Sequence, residues 1–180
     1  VEANLKSLRR LQQQAPAGIG IVVGYVDRSR VQAGKPFVNI VCLLQDGKIL
    51  LRQAKTLLPS YDVFDEARYF QPAGERRVLP WRGERLGIAI CEDLWWEAEQ
   101  ETGGRYPVDP VRDLLDQGAT LILAPSASPY HGGKPQIRLS LLSRIGKSSG
   151  VPVVYVNTVG ANDSLIFDGQ SMVSSSKGRL

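Results

Sequence analysis

Leucines recur on one helical face of residues 2–15, with basic side chains on the other faces, and this spacing predicts an amphipathic helix. Pro16 and Gly18 follow and favour its end at that point. The apolar string GIGIVVGYV, residues 18–26, is typical of a buried strand. The chain is therefore expected to begin with a helix that leads into a sheet.

Two further apolar strings, FVNIVCLLQ and KILLRQAK, are separated only by Asp46 and Gly47. This dipeptide readily adopts the positive φ angles of a two-residue turn, so the pattern predicts a β-hairpin. The polar, proline-containing stretch of residues 58–83 predicts a long loop after it.

From residue 86 onward, short apolar runs alternate with helical patterns. LGIAI is typical of a strand buried on both faces, and CEDLWWEAEQ favours the opening of a helix. Two more helices are predicted to end at Gly118 and Gly150, each followed by a strand. We expect QSMVSS to form the last strand and Asp168 with Gly169 to form a hairpin turn. These elements predict a layered α/β domain with a mixed sheet.

The composition adds several exclusions. Of the 180 residues 43% are apolar, which suffices for the core of one domain. The net charge of +4 is spread without a basic cluster, so we expect no nucleic-acid partner. No apolar run approaches the roughly 18 residues of a membrane span, and the charged start is not typical of a signal peptide. We expect a cytoplasmic protein, and Val1 in first place favours a piece of a longer one.

The chain has two cysteines and one histidine, which limits its chemistry. They are too few for a disulfide framework or a Cys/His zinc site, so we expect no metal. Cys42 lies inside a hairpin strand, where cysteine usually packs as a small apolar side chain. Any Cys/His dyad would have to use His131.

Cys91 lies where a buried strand gives way to a helix. Backbone N–H groups at such a junction stabilise a thiolate and bind a developing oxyanion, which favours a nucleophile. The alternative is a buried apolar side chain, and the charged neighbours Glu92 and Asp93 weaken that interpretation. A thiol nucleophile needs a proton acceptor, for which a carboxylate, a lysine or His131 would serve.

Four strings resemble the glutaminase domains of glutamine-dependent NAD synthetases, in the nitrilase (carbon-nitrogen hydrolase) superfamily: KTLLPSYDVFDEARYF, GIAICEDLWW, LILAPSASPYHGGK and LIFDGQSM. They occur in the family's order and cover most of the chain. The resemblance implies an α/β fold, the nitrilase-like layered αββα sandwich with mixed β-sheets. It also implies that residues 1–180 form a single incomplete domain that lacks the first strand and the C-terminal end.

That superfamily uses a Glu, Lys, Cys triad, and the resemblance places the lysine at Lys55 and the nucleophile at Cys91. A lysine beside the sulfur would stabilise both the thiolate and the oxyanion, with the backbone N–H of Glu92 as a second donor. The triad glutamate falls before the segment that matches Val1. Glu66 resembles an accessory carboxylate that orients the lysine or the substrate; the alternative is a surface ion pair with Arg68.

The resemblance assigns substrate binding to Tyr61, Ser128 and Lys134, whose donors and acceptors suit the α-carboxylate and α-ammonium groups of glutamine. The alternatives are loop packing for Tyr61 and Ser128 and solvent exposure for Lys134. Trp95 and Trp96 are expected to pack against the core.

The implied function is hydrolysis of the glutamine side-chain amide to glutamate and ammonia through a cysteine thioester. The ammonia would supply a C-terminal NAD synthetase domain that uses ATP and Mg²⁺, whereas this domain needs no cofactor; a homo-oligomer is expected. Three alternatives remain open: a nitrilase, carbamoyl amidohydrolase or general amidase; a truncated domain without catalysis; and a Cys91/His131 dyad.

Overall fold

A computed structural model of the protein describes residues 1–100, 104 and 106–180. The chain folds into two compact units, Val1–Arg76 and Arg77–Leu180. Each unit has its own β-sheet, and the combination of helices with antiparallel and mixed sheets confirms the predicted α/β class.

The first unit is an antiparallel sheet of three strands with a helix packed on it. Its elements are α1 (Glu2–Gln14), β1 (Ile21–Arg28), β2 (Phe37–Gln45), β3 (Lys48–Ala54) and α2 (Glu66–Tyr69). Leu8 of α1 packs against Tyr25, Ile40 and Cys42 of the sheet, and all four are buried. The predicted first helix and hairpin are confirmed.

The turn between β2 and β3 has the backbone expected from its sequence. Asp46 and Gly47 adopt φ angles of 50° and 73°, the left-handed pair that a tight hairpin turn requires. The long loop predicted for residues 58–83 is interrupted by α2 and by the short strand β4, so that prediction was wrong in part. Both elements are too short for sequence periodicity to reveal.

The second unit contains a five-stranded mixed sheet in the order β10-β7-β6-β5-β4, with β5, β6 and β7 parallel and the two edge strands antiparallel. Its elements are β4 (Leu79–Trp81), β5 (Glu84–Ile88), a 3₁₀ turn (Cys91–Leu94), α3 (Trp96–Gln100), α4 (Pro110–Asp116), β6 (Leu121–Ser126), α5 (Lys134–Ser149), β7 (Val153–Asn157), β8 (Val159–Asn162), β9 (Leu165–Asp168) and β10 (Met172–Ser174). β8 and β9 form a separate two-stranded hairpin.

Helices α4 and α5 end close to the predicted residues. The side chain of Asp109 accepts a hydrogen bond from the backbone N–H of Arg112 at 3.0 Å and so caps the start of α4. Gly150 adopts φ 70° directly after α5, a conformation that glycine adopts without strain. Apolar side chains of α4, α5 and the central strands form one buried core in this unit.

Two local predictions in the second unit were wrong. The segment after LGIAI does not open directly as an α-helix: Cys91–Leu94 forms a 3₁₀ turn, and α3 follows at Trp96. Asp168 and Gly169 are not the hairpin turn, which lies at Asp163 and Ser164. Asp168 instead ends β9, where its carboxylate is bound by an arginine described below.

Candidate active site

Lys55 directly follows β3 in the first unit, and its backbone is held on both sides. Its N–H donates to the carbonyl of Asn39 at 2.8 Å, which continues the β2–β3 ladder by one residue. Its carbonyl accepts from the N–H of Ala73 at 2.9 Å. The residue is only 2% exposed, so a fixed backbone carries a buried cation.

Glu66, the first residue of α2, binds this cation: Lys55 Nζ lies 2.5 Å from Glu66 Oε1. The other carboxylate oxygen, Oε2, is buried and has no hydrogen-bond partner among the described residues. The alternative ion pair of Glu66 with Arg68 is not formed, because Arg68 pairs with Asp65 at 3.5 Å on the surface. The structure thus brings together two of the predicted site residues in the first unit.

Tyr61 lies in the loop before α2 and is half-buried. Its ring makes an edge-to-face contact with Phe64, with centroids 5.7 Å apart and planes at 71°. The backbone N–H of Phe64 also donates to the carbonyl of Tyr61 at 2.9 Å. These contacts fix the ring, while its role in substrate binding stays a prediction.

Cys91, in the second unit, has a strained backbone. Its φ is +48°, a left-handed conformation that residues with a side chain rarely adopt and that clusters at functional sites. The buried carboxylate of Asp93 closes the turn, accepting from the N–H of Ile90 at 2.9 Å, while the N–H of Asp93 donates to the Ile90 carbonyl. Cys91 is half-buried, in contrast to Cys42, which is fully buried.

Glu92 follows the cysteine inside the 3₁₀ turn and is 4% exposed. Its Oε1 accepts a hydrogen bond from the hydroxyl of Tyr106 at 2.9 Å, which compensates for burial of the carboxylate. The use of its backbone N–H as an oxyanion donor remains a prediction.

The parallel strands of the second unit bring several polar residues to one edge of the sheet. The register of β6 and β7 sets Ser126 level with Asn157 at the carboxyl end of the sheet, and Cys91 begins the turn that follows β5 at the same edge. Open α/β sheets bind ligands at this edge. The arrangement places the proposed nucleophile where such a domain carries its site.

Ser128, two residues beyond β6, is held by Asn157 on both sides of its peptide. The Ser128 N–H donates to Asn157 Oδ1 at 2.8 Å, and Asn157 Nδ2 donates to the Ser128 carbonyl at 3.3 Å. The same Nδ2 donates to the carbonyl of Gly169 at 2.9 Å. Ser128 and Asn157 are 4% and 5% exposed. Asn157 is thus a supporting residue that the sequence analysis missed.

Arg138 of α5 is a second missed residue. Its guanidinium forms a two-pronged ion pair with Asp168, with Nη2–Oδ1 at 2.7 Å and Nη1–Oδ2 at 3.1 Å. Nη2 also donates to the carbonyls of Ser128 and Pro129, at 3.3 Å each. The hydrogen bonds from Arg138 hold the pKa of Asp168 below its usual value.

Tyr155 on β7 is buried close to these groups. Burial raises its pKa to about 12, and negative charge on Cys91 acts in the same direction. Arg138 and hydrogen bonds with Ser128 and Ser126 oppose the shift. The phenol therefore stays protonated at neutral pH and is available as a hydrogen-bonding group beside Ser128.

Lys134 is the first residue of α5 and is half-buried. Its Nζ lies 4.2 Å from the ring centroid of Trp95, a cation–π contact that restrains the flexible side chain. Trp95 also packs against the core of the second unit, as expected. Trp96 donates its indole N–H to the carbonyl of Tyr106 at 3.0 Å.

Comparison with protein families decides what kind of domain this is. The family model described as carbon-nitrogen hydrolase matches residues 2–180. The chain belongs to the carbon-nitrogen hydrolase family. The predicted membership of the nitrilase superfamily is therefore confirmed.

This carbon-nitrogen hydrolase is similar to part of several longer proteins. It is 41% identical over 183 residues to a glutamine-dependent NAD(+) synthetase of Synechocystis sp., covering 100% of this chain and 33% of the relative. A protein of the same name from Xylella fastidiosa is 39% identical, with 92% of this chain and 28% of the relative covered. The solved structure of glutamine-dependent NAD+ synthetase from Acinetobacter baumannii aligns with a TM-score of 0.82 and 34% identity, over 98% of this chain and 31% of that one. The chain spans about a third of the length of these relatives.

Other features bear on the alternatives. His131 is exposed, and its Nδ1 lies 2.9 Å from the carbonyl of Gly132. Within residues 1–100, 104 and 106–180, no group of three or more His, Cys, Asp or Glu side chains is arranged to hold a metal ion. No helix in the described part of this hydrolase is long and apolar enough to cross a membrane.

Weak sequence signals exist for the residues that were missed. Arg138 falls on the same helical stripe as Leu141, Leu142 and Ile145, all of which are buried, and a charge on an apolar stripe indicates a buried pair. Asn157 ends an apolar strand at the sheet edge where ligands bind. Neither signal identifies the partner.

Proposed function

We propose that this chain hydrolyses the side-chain amide of glutamine to glutamate and ammonia, with Cys91 as the nucleophile. The observation that carries the proposal is the similarity along the whole chain to proteins named glutamine-dependent NAD(+) synthetases, at 41% and 39% identity. The left-handed backbone of Cys91 at the carboxyl edge of the parallel strands supports its assignment as the nucleophile.

The chemistry proceeds through a thioester. The Cys91 sulfur attacks the amide carbon, a C–S bond forms, and the C–N bond then breaks as protonated nitrogen leaves as ammonia. Water attacks the thioester and releases glutamate and the thiol. A glutamate residue is expected to accept the proton of the Cys91 thiol and return it to the leaving nitrogen. The resemblance assigns this residue to a position before Val1.

Charge stabilisation in both tetrahedral steps is assigned to Lys55 and to the backbone N–H of Glu92. A buried ammonium lowers the energy of an oxyanion more than an exposed one, because fewer water molecules screen it. Lys55 is 2% exposed, and its contact with Glu66 holds the side chain in one position.

Glutamine differs from simple amides in its α-ammonium and α-carboxylate groups. We assign their recognition to Tyr61, Ser128 and Lys134, which offer a phenol, a hydroxyl and a cation. The restraint of Lys134 by Trp95 and of Tyr61 by Phe64 supports this assignment, because a restrained side chain loses less entropy on binding.

The relatives are about three times as long as this chain, and their name implies that the ammonia is used for NAD synthesis. We propose that a C-terminal synthetase domain using ATP and Mg²⁺ consumes it, in a cytoplasmic homo-oligomer. In this proposal the hydrolase chain itself needs no metal or cofactor.

Ammonia release from glutamine by the full-length protein tests the function. The informative pair is Cys91→Ala with Cys42→Ala as the matched control, because Cys42 is the other cysteine and is fully buried in the first unit. We expect Cys91→Ala to abolish release and Cys42→Ala to retain it.

The same assay with a simple aliphatic amide and a nitrile distinguishes the alternatives. A preference for either of these over glutamine would assign the chain to another branch of the superfamily. Absence of turnover on all three substrates would favour a domain without catalysis.

A further inference from the structure

The peptide of Ser128 is held by two buried side chains from different elements. Asn157, at the end of β7, forms hydrogen bonds with both the N–H and the carbonyl of Ser128. Arg138, in α5, donates to the Ser128 carbonyl and to the Pro129 carbonyl. Arg138 and Asn157 are 1% and 5% exposed. A loop residue with its peptide bonded from both sides is restricted to one orientation.

Asp168 in turn fixes the guanidinium of Arg138. The two-pronged geometry leaves Nη1 bonded to Asp168 and Nη2 shared among Asp168 and the two carbonyls. An arginine fork bound in this way has one orientation, which a lysine cannot reproduce. Asn157 is itself fixed, since its backbone N–H donates to Ser171 Oγ at 3.1 Å and its Nδ2 donates to the Gly169 carbonyl.

We propose that Arg138 and Asn157 are positioning residues that hold Ser128 in the orientation in which it binds the α-substituents of glutamine, and that Asp168 orients Arg138 for this purpose. The inference rests on the proposed function, because it assigns these residues a role in glutamine binding. They act through Ser128 and leave the attack by Cys91 unaffected. Substitution of these residues is therefore expected to raise the KM for glutamine and to leave kcat nearly unchanged.

Arg138→Met, made in the full-length protein, tests whether the contacts of Arg138 with the Ser128 loop position Ser128. The substitution removes the donors that Arg138 supplies to the Ser128 and Pro129 carbonyls, while Asn157 Nδ2 still donates to the Ser128 carbonyl. We expect the KM for glutamine to rise about tenfold while kcat stays within about threefold. Arg144→Met is the matched control, because Arg144 lies on the same helix and its partly exposed side chain is placed beside Glu97, with Nε 3.6 Å from Oε2. We expect Arg144→Met to leave KM unchanged.

Arg138→Lys covers the case in which Arg138→Met does not fold. The lysine keeps a cation opposite Asp168 but has a single nitrogen, which cannot bond Asp168 and both carbonyls in the same geometry. We expect a smaller rise in KM, in the same direction.

Alkylation of Cys91 by iodoacetamide separates positioning from a general structural role. Iodoacetamide lacks the α-substituents of glutamine, so its reaction does not depend on how Ser128 is oriented. The rate of Cys91 alkylation should therefore be the same in the unaltered protein, in Arg138→Met and in Arg138→Lys. Mass spectrometry of the Cys91 peptide measures this rate. An equal loss of alkylation and of glutamine turnover would overturn the proposal, as would an unchanged KM in an active variant. If the unaltered protein released no ammonia from glutamine, the proposed function would be refuted, and with it the positioning role of Arg138 and Asn157.

Discussion

The two units each contain a buried cation paired with a partly exposed carboxylate. In the first, Lys55 and Glu66 have side-chain exposures of 3% and 21%; in the second, Arg138 and Asp168 have 1% and 16%. By burial and charge alone the two pairs are equivalent. Both would mark a functional site if a desolvated charge were sufficient evidence.

The two pairs differ in how their polar atoms are used. Glu66 bonds Lys55 through Oε1, and its buried Oε2 has no partner in the described part of the chain. Asp168 uses both oxygens on Arg138, which also bonds two carbonyls. An ammonium held at one point retains capacity to interact with a substrate, whereas both Nη atoms of the guanidinium are committed to Asp168 and to the loop that they support. The comparison separates a proposed catalytic cation from a positioning one.

Substitution of Lys55, the cation of the first pair, should have the largest effect, and this effect should be on the rate of glutamine hydrolysis. We expect Lys55→Met to lower kcat for glutamine hydrolysis by about 10²- to 10³-fold, because one charge that stabilises the oxyanion is removed. Lys48→Met is the control: Lys48 is exposed at the other end of β3. Steady-state ammonia release measures both, and near-normal kcat in Lys55→Met would remove Lys55 from the mechanism.

Substitution of the second cation should lower the free energy of unfolding, in addition to raising the KM for glutamine. We expect Arg138→Met to lower the free energy of unfolding by about 3 kcal/mol, since Asp168 loses its cationic partner and the Ser128 and Pro129 carbonyls each lose the hydrogen bond from Arg138. The decrease should exceed that of Lys55→Met, which removes one hydrogen bond where Arg138→Met removes four. Urea unfolding of the two variants gives the comparison, and equal losses would contradict it.

The smallest effect is expected in the pH dependence of stability. Arg138 holds the pKa of Asp168 below its unfolded value, so this carboxylate contributes stability above the unfolded pKa of about 3.9 and loses it as pH falls through the folded pKa. The difference in unfolding free energy between the unaltered protein and Asp168→Asn should therefore be constant near neutrality and narrow below about pH 4.

Asp116→Asn serves as the comparison for this titration, because Asp116 forms an exposed pair with Arg112. Surface pairs contribute little, so the unfolding curves of Asp116→Asn should follow those of the unaltered protein at each pH. A gap that widens in acid for Asp168→Asn would show that Asp168 does not stabilise the fold as a carboxylate.

Local patterns in the sequence were sufficient for much of the fold. The Asp46–Gly47 turn, helices α1 and α5, and the strand that precedes Cys91 were all predicted, since each depends on side chains a few residues apart. The short elements α2, β4, β8 and β9 were missed, because segments of three or four residues carry too few positions for a period. Resemblance to the family supplied Cys91, Lys55 and the substrate residues as candidates.

The sequence by itself therefore determined the class of domain and offered Cys91 as the candidate nucleophile, whereas the tertiary structure decided which side chains hold the loop of Ser128. Arg138 and Asp168 are 30 residues apart in the sequence, and Ser128 and Asn157 are 29 apart. No local sequence pattern links either pair. These pairs arise only when the register of β6 with β7 and the packing of α5 bring the segments together. Burial then makes each unsatisfied polar group costly, so the buried side chains that meet must bond one another.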